Sequence, residues 1–392
     1  MKIKQFHLVV FGILFLLLTA FASAQAPDIA WEYNGVGTFY SVVPAADGGF
    51  AALLNVSSSI SIVKLNQDGE LVFNKQLPST SGHYGRYMSP TGDGGYIITG
   101  SYYYKLDPDM EDIIIELILI KADSNGDVVW EKHFSDSSQP YGVCVKETSD
   151  NGFIICGTTA LILSEWTPPS DMVLLKTDSA GNKLWDNYFS GLDEDCLIQG
   201  KYVEETSDGG FILTGYEHSI YVLSPDLVYL IKTNSSGDLV WRENYDSSID
   251  GVSVRETNDN GYMLLSTGYS YVPEVGDYSY LTKVNSTGVE QWQEEINSED
   301  SEISATPYFT ARSCVWEDDG SCVIAGNNYN GKTEIIKTNS VGVVQGSMLY
   351  ETATVYSICA SNDGGYVFCG SGFIAKFDGA AVPVELLNFS CE

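Results

Sequence analysis

The sequence predicts an all-β fold built from seven repeats, and three of its features support this. A short phrase with Asp, one or two Gly and usually an aromatic residue recurs about every 50 residues. A second phrase, of the kind IKTNSSG at 231–237, follows each copy of the first. After the first 24 residues, no segment shows the 3.6-residue apolar period of an amphipathic helix. Together these features favour short strands joined by tight turns.

Each repeat reads as four short strands, A to D. Around residue 210 these are YVEET, FILTG, VYLIKT and LVWREN, which are rich in β-branched and aromatic residues. Gly, Asp, Asn and Ser separate them, as expected of turns. The first phrase begins at seven aspartates: Asp47, Asp93, Asp150, Asp208, Asp259, Asp319 and Asp363. Strand D carries a tryptophan in four repeats: Trp130, Trp185, Trp241 and Trp292. Four-stranded repeats of this length are typical of a β-propeller.

The two ends of the repeat array complement each other. The seventh repeat ends near Phe377 and lacks a tryptophan-bearing strand D. The stretch DIAWEYNG at 28–35 reads as a strand D with no A, B and C before it, and Trp31 occupies the tryptophan position. We therefore expect the N-terminal strand to complete the last blade and remove its open edge. The prediction is a seven-bladed β-propeller closed by an N-terminal outer strand.

The segments outside the repeats predict export. Residues 1–24 combine Lys2 and Lys4, an apolar run and the small residues Ala-Ser-Ala at 22–24, which is the pattern of a signal peptide. The apolar run is too short for a membrane span, so none is expected in the mature chain. Residues 25–380 form the predicted propeller, and 381–392 a C-terminal tail or linker remnant. A secreted or cell-surface location follows, with the periplasm as an alternative.

Charge and cysteine content exclude some functions. The formal net charge of −32 and the scarcity of arginine argue against a nucleic-acid partner, because phosphate binding needs clustered Lys and Arg. The eight cysteines lack the spacing of a zinc finger, and export permits disulfides. The sequence is compatible both with disulfide bridges and with buried free thiols. The pairs to test first are Cys314 with Cys322 and Cys359 with Cys369, since each pair flanks an A–B turn.

The repeat phrases resemble those of exported bacterial and archaeal β-propeller proteins with quinoprotein-like or WD-like repeats. The resemblance rests on Asp-Gly-Gly-Phe/Tyr followed by LIKTNSSGDLVW, and it spans nearly the whole mature chain. Such repeats also occur in proteins that bind no quinone, so the resemblance supports the fold more than a cofactor. The tail VPVELLNFS at 382–390 resembles the segment before a type IX secretion sorting domain of Bacteroidetes proteins. The resemblance of the tail implies export by a type IX-like route.

Few residues carry an evident catalytic or metal-binding pattern. Seven copies of the Asp-Gly-Gly phrase indicate turns rather than a site, because Gly permits positive φ and Asp bonds its own backbone. The turn DSNGD resembles the start of a calcium loop, so Asp123, Asn125 and Asp127 are the candidate metal ligands and Ca²⁺ the candidate cofactor. Three histidines lie far apart in the mature sequence, and no catalytic residues are predicted.

The B–C and D–A loops share one face of the predicted disc, and the short A–B and C–D turns share the other. The loops are longer and more variable than the turns, and variable loops on a rigid scaffold are where binding usually occurs. Their aromatic residues and one histidine are the candidate binding residues: Tyr102, Tyr103, Tyr104, Trp166, Tyr216, His218, Tyr269 and Tyr271. The predicted function is an exported, non-catalytic binding or surface-interaction protein whose ligand is a carbohydrate or a protein. The alternatives are a hydrolase or lyase that acts on polysaccharide, and a structural spacer in a surface layer.

Overall fold

The computed structural model describes twelve segments of the chain: residues 29–77, 82–105, 113–135, 138–159, 170–191, 196–219, 227–245, 250–268, 278–298, 308–328, 330–350 and 354–378. The predicted signal peptide, the C-terminal residues from 379 onward, Trp166, Tyr269 and Tyr271 lie outside these segments. Among the described residues, none forms a helix of the length and apolar character that crossing a bilayer requires.

The described residues form 26 strands. In chain order these are β1 (Ile29–Pro44), β2 (Phe50–Val56), β3 (Ser59–Leu65), β4 (Leu71–Gln76), β5 (His83–Pro90), β6 (Tyr96–Tyr104), β7 (Ile114–Ala122), β8 (Val128–Phe134), β9 (Pro140–Glu147), β10 (Phe153–Thr159), β11 (Met172–Thr177), β12 (Lys183–Phe189), β13 (Cys196–Glu205), β14 (Phe211–Ser219), β15 (Leu227–Thr233), β16 (Leu239–Tyr245), β17 (Asp250–Glu256), β18 (Tyr262–Gly268), β19 (Tyr278–Val284), β20 (Glu290–Ile296), β21 (Phe309–Trp316), β22 (Cys322–Asn328), β23 (Thr333–Thr338), β24 (Val344–Tyr350), β25 (Val355–Ala360) and β26 (Tyr366–Phe377).

These strands form six antiparallel sheets, the blades of a β-propeller. Five blades have four strands each, in the groups β5–β8, β9–β12, β13–β16, β17–β20 and β21–β24. The sixth has six strands in the order β25-β26-β1-β2-β3-β4. The innermost strands contact one another in a closed cycle, from β1 through β5, β9, β13, β17, β21 and β25 back to β1. The cycle encloses a central channel.

The prediction of seven blades is wrong, because the first and last repeats share one sheet. Strand β1 is 16 residues long and pairs along both of its halves. Its N-terminal half pairs with β26, with Trp31 opposite Lys376, and its C-terminal half pairs with β2, with Pro44 opposite Phe50. The N-terminal strand therefore does join the last repeat, but it continues directly into the first. The repeat pattern counts strands and cannot show that two sets of strands belong to one hydrogen-bonded sheet.

The Asp-Gly-Gly phrase forms the A–B turn, as predicted. Asp208 Oδ1 accepts hydrogen bonds from the N–H of Gly210 at 2.9 Å and from Thr206 Oγ1 at 2.6 Å. Partial burial opposes ionisation, but these bonds and the contact with Lys232 lower the pKa of Asp208 to about 2. Gly209 adopts φ 76°, a left-handed conformation that favours glycine. The phrase is a structural turn.

The lysine of the second phrase completes this turn. Lys232 in β15 is 4 % exposed, and its Nζ lies 3.0 Å from Asp208 and donates to Thr233 O at 2.7 Å. The same ion pair recurs in five other repeats: Asp47–Lys64, Asp93–Lys121, Asp150–Lys176, Asp259–Lys283 and Asp363–Lys376. The two phrases recur together because each supplies one partner of an ion pair in which the lysine is largely buried and the aspartate is partly exposed.

The tryptophans of strand D link neighbouring repeats. The Trp185 ring lies 5.9 Å from the Phe211 ring of the next repeat, and it covers Gly237 in the C–D turn of that repeat. A Cβ at Gly237 would come within 2.5 Å of the Trp185 ring. Trp31 packs in the same way on Phe50 and Gly69 of the first repeat. The tryptophan, the aromatic residue after the glycines and the turn glycine thus form one packing unit between repeats.

The cysteines that the structure describes are seven free thiols. Cys314 does not bridge to Cys322, nor Cys359 to Cys369. All seven are buried except Cys314, which is half-buried, and burial raises the pKa of the Cys369 thiol well above its usual range. Cys391 lies outside the described residues. Within them, the interior of the sheets holds the fold together without disulfides.

Candidate functional site

A large cavity lies in the central channel. Its volume is about 720 Å³, and it is lined by residues of the inner strands of every blade. Cavities of a few hundred to about a thousand Å³ commonly hold small ligands. The channel is therefore a candidate functional site, and its lining decides which ligands it suits.

Each inner strand carries a β-bulge at the level of this cavity. The bulged residue has no partner on the neighbouring strand, and in all seven inner strands its side chain lines the cavity. A bulge redirects a side chain, and bulges are frequent near functional sites. In order around the channel, the bulged residues are Tyr40, Arg86, Val143, Lys201, Val252, Arg312 and Tyr356. We call these seven residues the bulge ring.

The channel lining is cationic, although the chain as a whole is strongly acidic. Its basic side chains are Arg86, Lys146, Lys201, Arg255 and Arg312, and its acidic ones are Glu204 and Asp250. These seven residues carry a formal charge of +3, whereas the chain carries −32. The chain has four arginines, and three of them line the channel. The lining is thus suited to an anionic ligand.

Tyrosines accompany the cations along one side of the channel. The Tyr40 ring lies 5.1 Å from the Tyr356 ring and 5.3 Å from the Tyr84 ring, edge-on to the latter. Arg86 Cζ stands 5.3 Å from the centre of the Tyr84 ring and 4.7 Å from that of Tyr141. Arg86 Nε is buried and has no hydrogen-bond partner among the described residues. Rings on both sides hold the guanidinium group in place while leaving hydrogen-bond capacity unused.

Two further cations lie beside acidic or aromatic groups. Lys146 Nζ donates to Tyr87 OH at 2.9 Å and lies 4.9 Å from the centre of the Tyr202 ring. Lys201 pairs with Asp250 Oδ2 at 3.1 Å. Burial raises the pKa of Asp250, and the neighbouring Lys201 opposes this shift. Burial also raises the pKa of Glu204. The two channel carboxylates are therefore harder to ionise than free ones.

The predicted binding residues that the structure describes are divided between two blades. Tyr216 in β14 lies next to the channel, with Lys201 Nζ 5.1 Å from its ring centre. His218 lies two residues further along β14, opposite Leu197. Tyr102 and Tyr104 lie in β6 of another blade, with stacked rings 5.2 Å apart. Trp166, Tyr269 and Tyr271 are outside the described residues.

Tyr102 and Tyr104 belong to a group of ionisable side chains at the loop end of their blade. The Tyr102 ring lies 4.6 Å from the His83 ring and 5.3 Å from the His133 ring. Tyr104 OH donates to Glu116 Oε1 at 3.2 Å. Tyr103, between them in sequence, pairs with Ile115 on β7, and its N–H donates to Gly82 O. Two histidines that are 50 positions apart in sequence thus meet in one blade, which sequence spacing alone does not reveal.

The candidate calcium ligands lie in the C–D turn between β7 and β8. Asp123 Oδ1 accepts the N–H groups of Asn125 and Asp127, each at 2.9 Å. These backbone hydrogen bonds lower the pKa of Asp123. The Asp127 carboxylate pairs with Lys75 at 2.7 Å. The carboxylates already have protein partners, and calcium binding at this turn stays a prediction.

Neither protein-family models nor curated proteins match the chain. Its fold is similar to several solved structures. One is the WD40 β-propeller domain of Doa1, with 8 % identity, coverage of 91 % of this chain and 97 % of that one, and a TM-score of 0.56. Another is the Pan2 WD40 domain of Neurospora crassa, with 9 % identity, 91 % and 96 % coverage and a TM-score of 0.57. The Dos1 propeller has 12 % identity, 88 % and 78 % coverage and a TM-score of 0.52. These similarities establish a β-propeller fold with WD40-like neighbours.

Proposed function

We propose that this protein is an exported, non-catalytic binding protein whose central channel takes a carbohydrate that carries carboxylate or sulfate groups. The observation that carries the proposal is the bulge ring. It places three cationic side chains and two tyrosines in the lining of a cavity of about 720 Å³. Guanidinium groups bind carboxylate and sulfate oxygens through paired hydrogen bonds, and tyrosine faces pack against sugar rings. The ligand class follows from this combination.

The acidic surface does not prevent such binding. At physiological ionic strength the charges of the outer surface are screened over about 8 Å. An acidic group inside the channel would therefore respond mainly to Arg86, Lys201 and Arg312, which line the same cavity. Binding should weaken as salt is raised, because the attraction is electrostatic and partly exposed to solvent.

Export supports a ligand outside the cytoplasm. The signal-peptide pattern of residues 1–24 and the tail at 382–390 are the basis for this part of the proposal. N-terminal sequencing of the protein recovered from the medium or the cell envelope tests it. We expect a mature end near Gln25, and recovery of uncleaved protein from the cytoplasm would contradict export.

The binding test uses matched polysaccharides with and without acidic groups. Affinity electrophoresis and calorimetry would compare polygalacturonate and a sulfated glucan with a neutral glucan. Arg86→Gln and Arg312→Gln should each weaken retention by the acidic polymers about tenfold, because each removes one charge-assisted contact worth about 1.5 kcal/mol. Lys183→Gln removes an exposed cation from the outer strand β12 and should leave retention unchanged. Equal retention of neutral and acidic polymers would contradict the proposal.

Catalysis is the second candidate function, and the two channel carboxylates favour it. Glu204 and Asp250 both line the cavity and both have raised pKa values, which is a property of general acids. If the protein were a hydrolase or lyase, incubation with the acidic polymers would release oligosaccharides, and Glu204→Gln or Asp250→Asn would abolish the release. Retention without product supports the binding protein. Absence of both retention and product would favour the third function, a structural spacer in a surface layer.

A further inference from the structure

We propose that His83, Glu131 and His133 bind a transition-metal ion of the zinc class at the loop end of the blade β5–β8. The three ligand atoms lie within 4.8 Å of one another. His83 Nε2 is 2.8 Å and His133 Nε2 is 2.9 Å from the same oxygen, Glu131 Oε1. Two imidazoles and one carboxylate are a common ligand set for zinc.

All three ligands are carried by strands rather than by loops. His83 is the first residue of the inner strand β5, and it is buried with 3 % exposure. Glu131 and His133 are two positions apart in β8, so they project from the same face of that strand. A set of ligands held by strands at opposite edges of one sheet is close to its bound arrangement before the metal arrives, which favours binding.

His133 contacts one carboxylate through each of its ring nitrogens, an arrangement that suits a metal ion at Nε2. Its Nδ1 lies 2.8 Å from Glu116 Oε2 while its Nε2 lies 2.9 Å from Glu131 Oε1. A neutral imidazole has one N–H, so it can donate to only one of these two carboxylates. The other contact would set a lone pair against a carboxylate oxygen. A metal ion between Nε2 and Glu131 removes that conflict and leaves Nδ1–H to donate to Glu116.

Glu116 lies against the ring nitrogen of His133 that would not bind the metal, where metal-bound histidines commonly have a carboxylate partner. Donation from His133 Nδ1 to Glu116 fixes the ring orientation and the tautomer that exposes Nε2 to the metal. Tyr104 OH donates to the other oxygen of Glu116 at 3.2 Å and holds this carboxylate in turn. Glu116 is thus a positioning residue, whereas His83, Glu131 and His133 are the ligands.

Charge and geometry both suit a divalent ion. Glu116 and Glu131 have side-chain exposures of 14 % and 24 %, and with the imidazoles in the neutral form that binds a metal these two carboxylates would give a local charge of −2. A divalent ion neutralises this charge. With metal bonds of about 2.0–2.1 Å, tetrahedral ligand atoms stand about 3.4 Å apart, so each His–Glu separation must widen by only about half an ångström.

Three protein ligands would leave a fourth coordination position, next to the stacked rings of Tyr102 and Tyr104. Among the described residues, His133 keeps one-third of its side chain exposed. Nitrogen ligands select zinc, cobalt, nickel or copper over calcium and magnesium, which prefer oxygen. This site is distinct from the C–D turn of Asp123 and from the channel, and its test is independent of both.

The test measures metal binding to the purified full chain without a histidine tag. After treatment with a chelator and its removal, we expect calorimetry with ZnCl₂ and elemental analysis to give one bound zinc per chain. Co²⁺ should give visible d–d absorption that zinc abolishes, and Ca²⁺ should not compete. Absence of stoichiometric zinc or of the cobalt spectrum would overturn the proposal.

Variants locate the site. His133→Gln and Glu131→Gln should weaken zinc binding by more than about 100-fold, and Glu116→Gln by about 10- to 100-fold, as expected for a residue that orients a ligand. His218→Gln removes a histidine from a different blade and should have no effect. Because His133 is partly exposed, its variant should fold, and circular dichroism without metal checks this. Equal zinc affinity in His133→Gln and the unaltered protein would refute the assignment.

Discussion

We predict that the ion pair in the A–B turn stabilises the protein, and a comparison of two repeats tests this. Asp208→Asn keeps the size of the side chain and its Oδ1, so the hydrogen bonds from Gly210 and Thr206 can persist. It removes the negative charge that faces Lys232 Nζ at 3.0 Å. Lys232 is 4 % exposed and would face a neutral amide, with Thr233 O as its remaining close acceptor. The substitution therefore isolates the ion pair from the turn.

The expected cost follows from the exposure of the two partners. A hydrogen bond to a charged group contributes about 1.5–3 kcal/mol. The Asp208 side chain is 62 % exposed, and solvent screening places the cost at the lower end, about 1.5–2 kcal/mol. Unfolding entropy of about 2.1 cal/mol/K per residue, taken over the roughly 290 described residues, converts this into a fall in Tm of about 3 °C.

The sixth repeat offers a matched control. Asp319 occupies the same turn position and accepts the N–H of Ser321 at 2.9 Å, but within the described residues it forms no ion pair with Lys337. Lys337 is also less buried than Lys232. Asp319→Asn should therefore change Tm by less than about 1 °C. Differential scanning calorimetry of both variants at pH 7 makes the comparison.

The pH dependence of the Tm difference tests the ion-pair explanation. Because the pKa of Asp208 is about 2, below its unfolded value of about 3.9, its stabilisation is present above pH 4 and is lost as pH falls towards 2. The difference in Tm between Asp208→Asn and the unaltered protein should thus shrink by roughly half at pH 3. A difference that stays constant from pH 7 to pH 3, or an equal loss in Asp319→Asn, would contradict the ion-pair explanation.

Three further predictions concern the turn, the contact between repeats and the thiols. Gly210→Ala would bring a Cβ within 2.2 Å of Thr233 O and should lower the urea midpoint more than Gly209→Ala, where only left-handed strain of about 1–2 kcal/mol arises. Trp185→Ala removes the ring that packs on Phe211 and should cost about 3 kcal/mol, measured by calorimetry. A thiol titration of the unfolded, unreduced protein should detect at least seven thiols, because the seven described cysteines are free.

Each of these three has a result that would contradict it. Equal urea midpoints for the two glycine variants would mean that the contact with Thr233 is unimportant. A Trp185→Ala protein as stable as the unaltered one would show that the packing between repeats contributes little. Fewer than seven thiols would show that some of the described cysteines are oxidised.

The repeat phrases predicted the local structure because each residue in them has a local role. In the phrase that begins at Glu205, that side chain accepts the N–H of Ser149 in the preceding repeat at 2.7 Å. Ser207 makes the same contact with Glu256 of the following repeat, at 2.6 Å. Short-range turns and contacts between adjacent repeats therefore appear in the sequence as recurring letters. The number of blades does not appear in the sequence in this way, because it depends on whether β1 runs without interruption from the last repeat into the first.

The candidate sites were harder to predict, and for physical reasons. His83 and His133 lie at the start of strand A and the end of strand D, which meet at the same end of the blade only after the chain has folded back three times. The side chain that enters the channel depends on a bulge that shifts the register of each inner strand by one residue. Alternation along strand A therefore gave no sign that Arg86 or Lys201 faces a cavity.

The bulge ring shows where the repeat is constrained and where it is free. The residue before the bulge is small in most inner strands, and at Gly142 an added Cβ would stand 1.9 Å from Thr99 Oγ1. The bulged residue itself varies, and around the ring cations alternate with valines in the order Arg86, Val143, Lys201, Val252 and Arg312. This alternation separates like charges, which lowers their mutual repulsion. A ligand with several acidic groups can meet several of these cations at once and should therefore bind more tightly than a ligand with one.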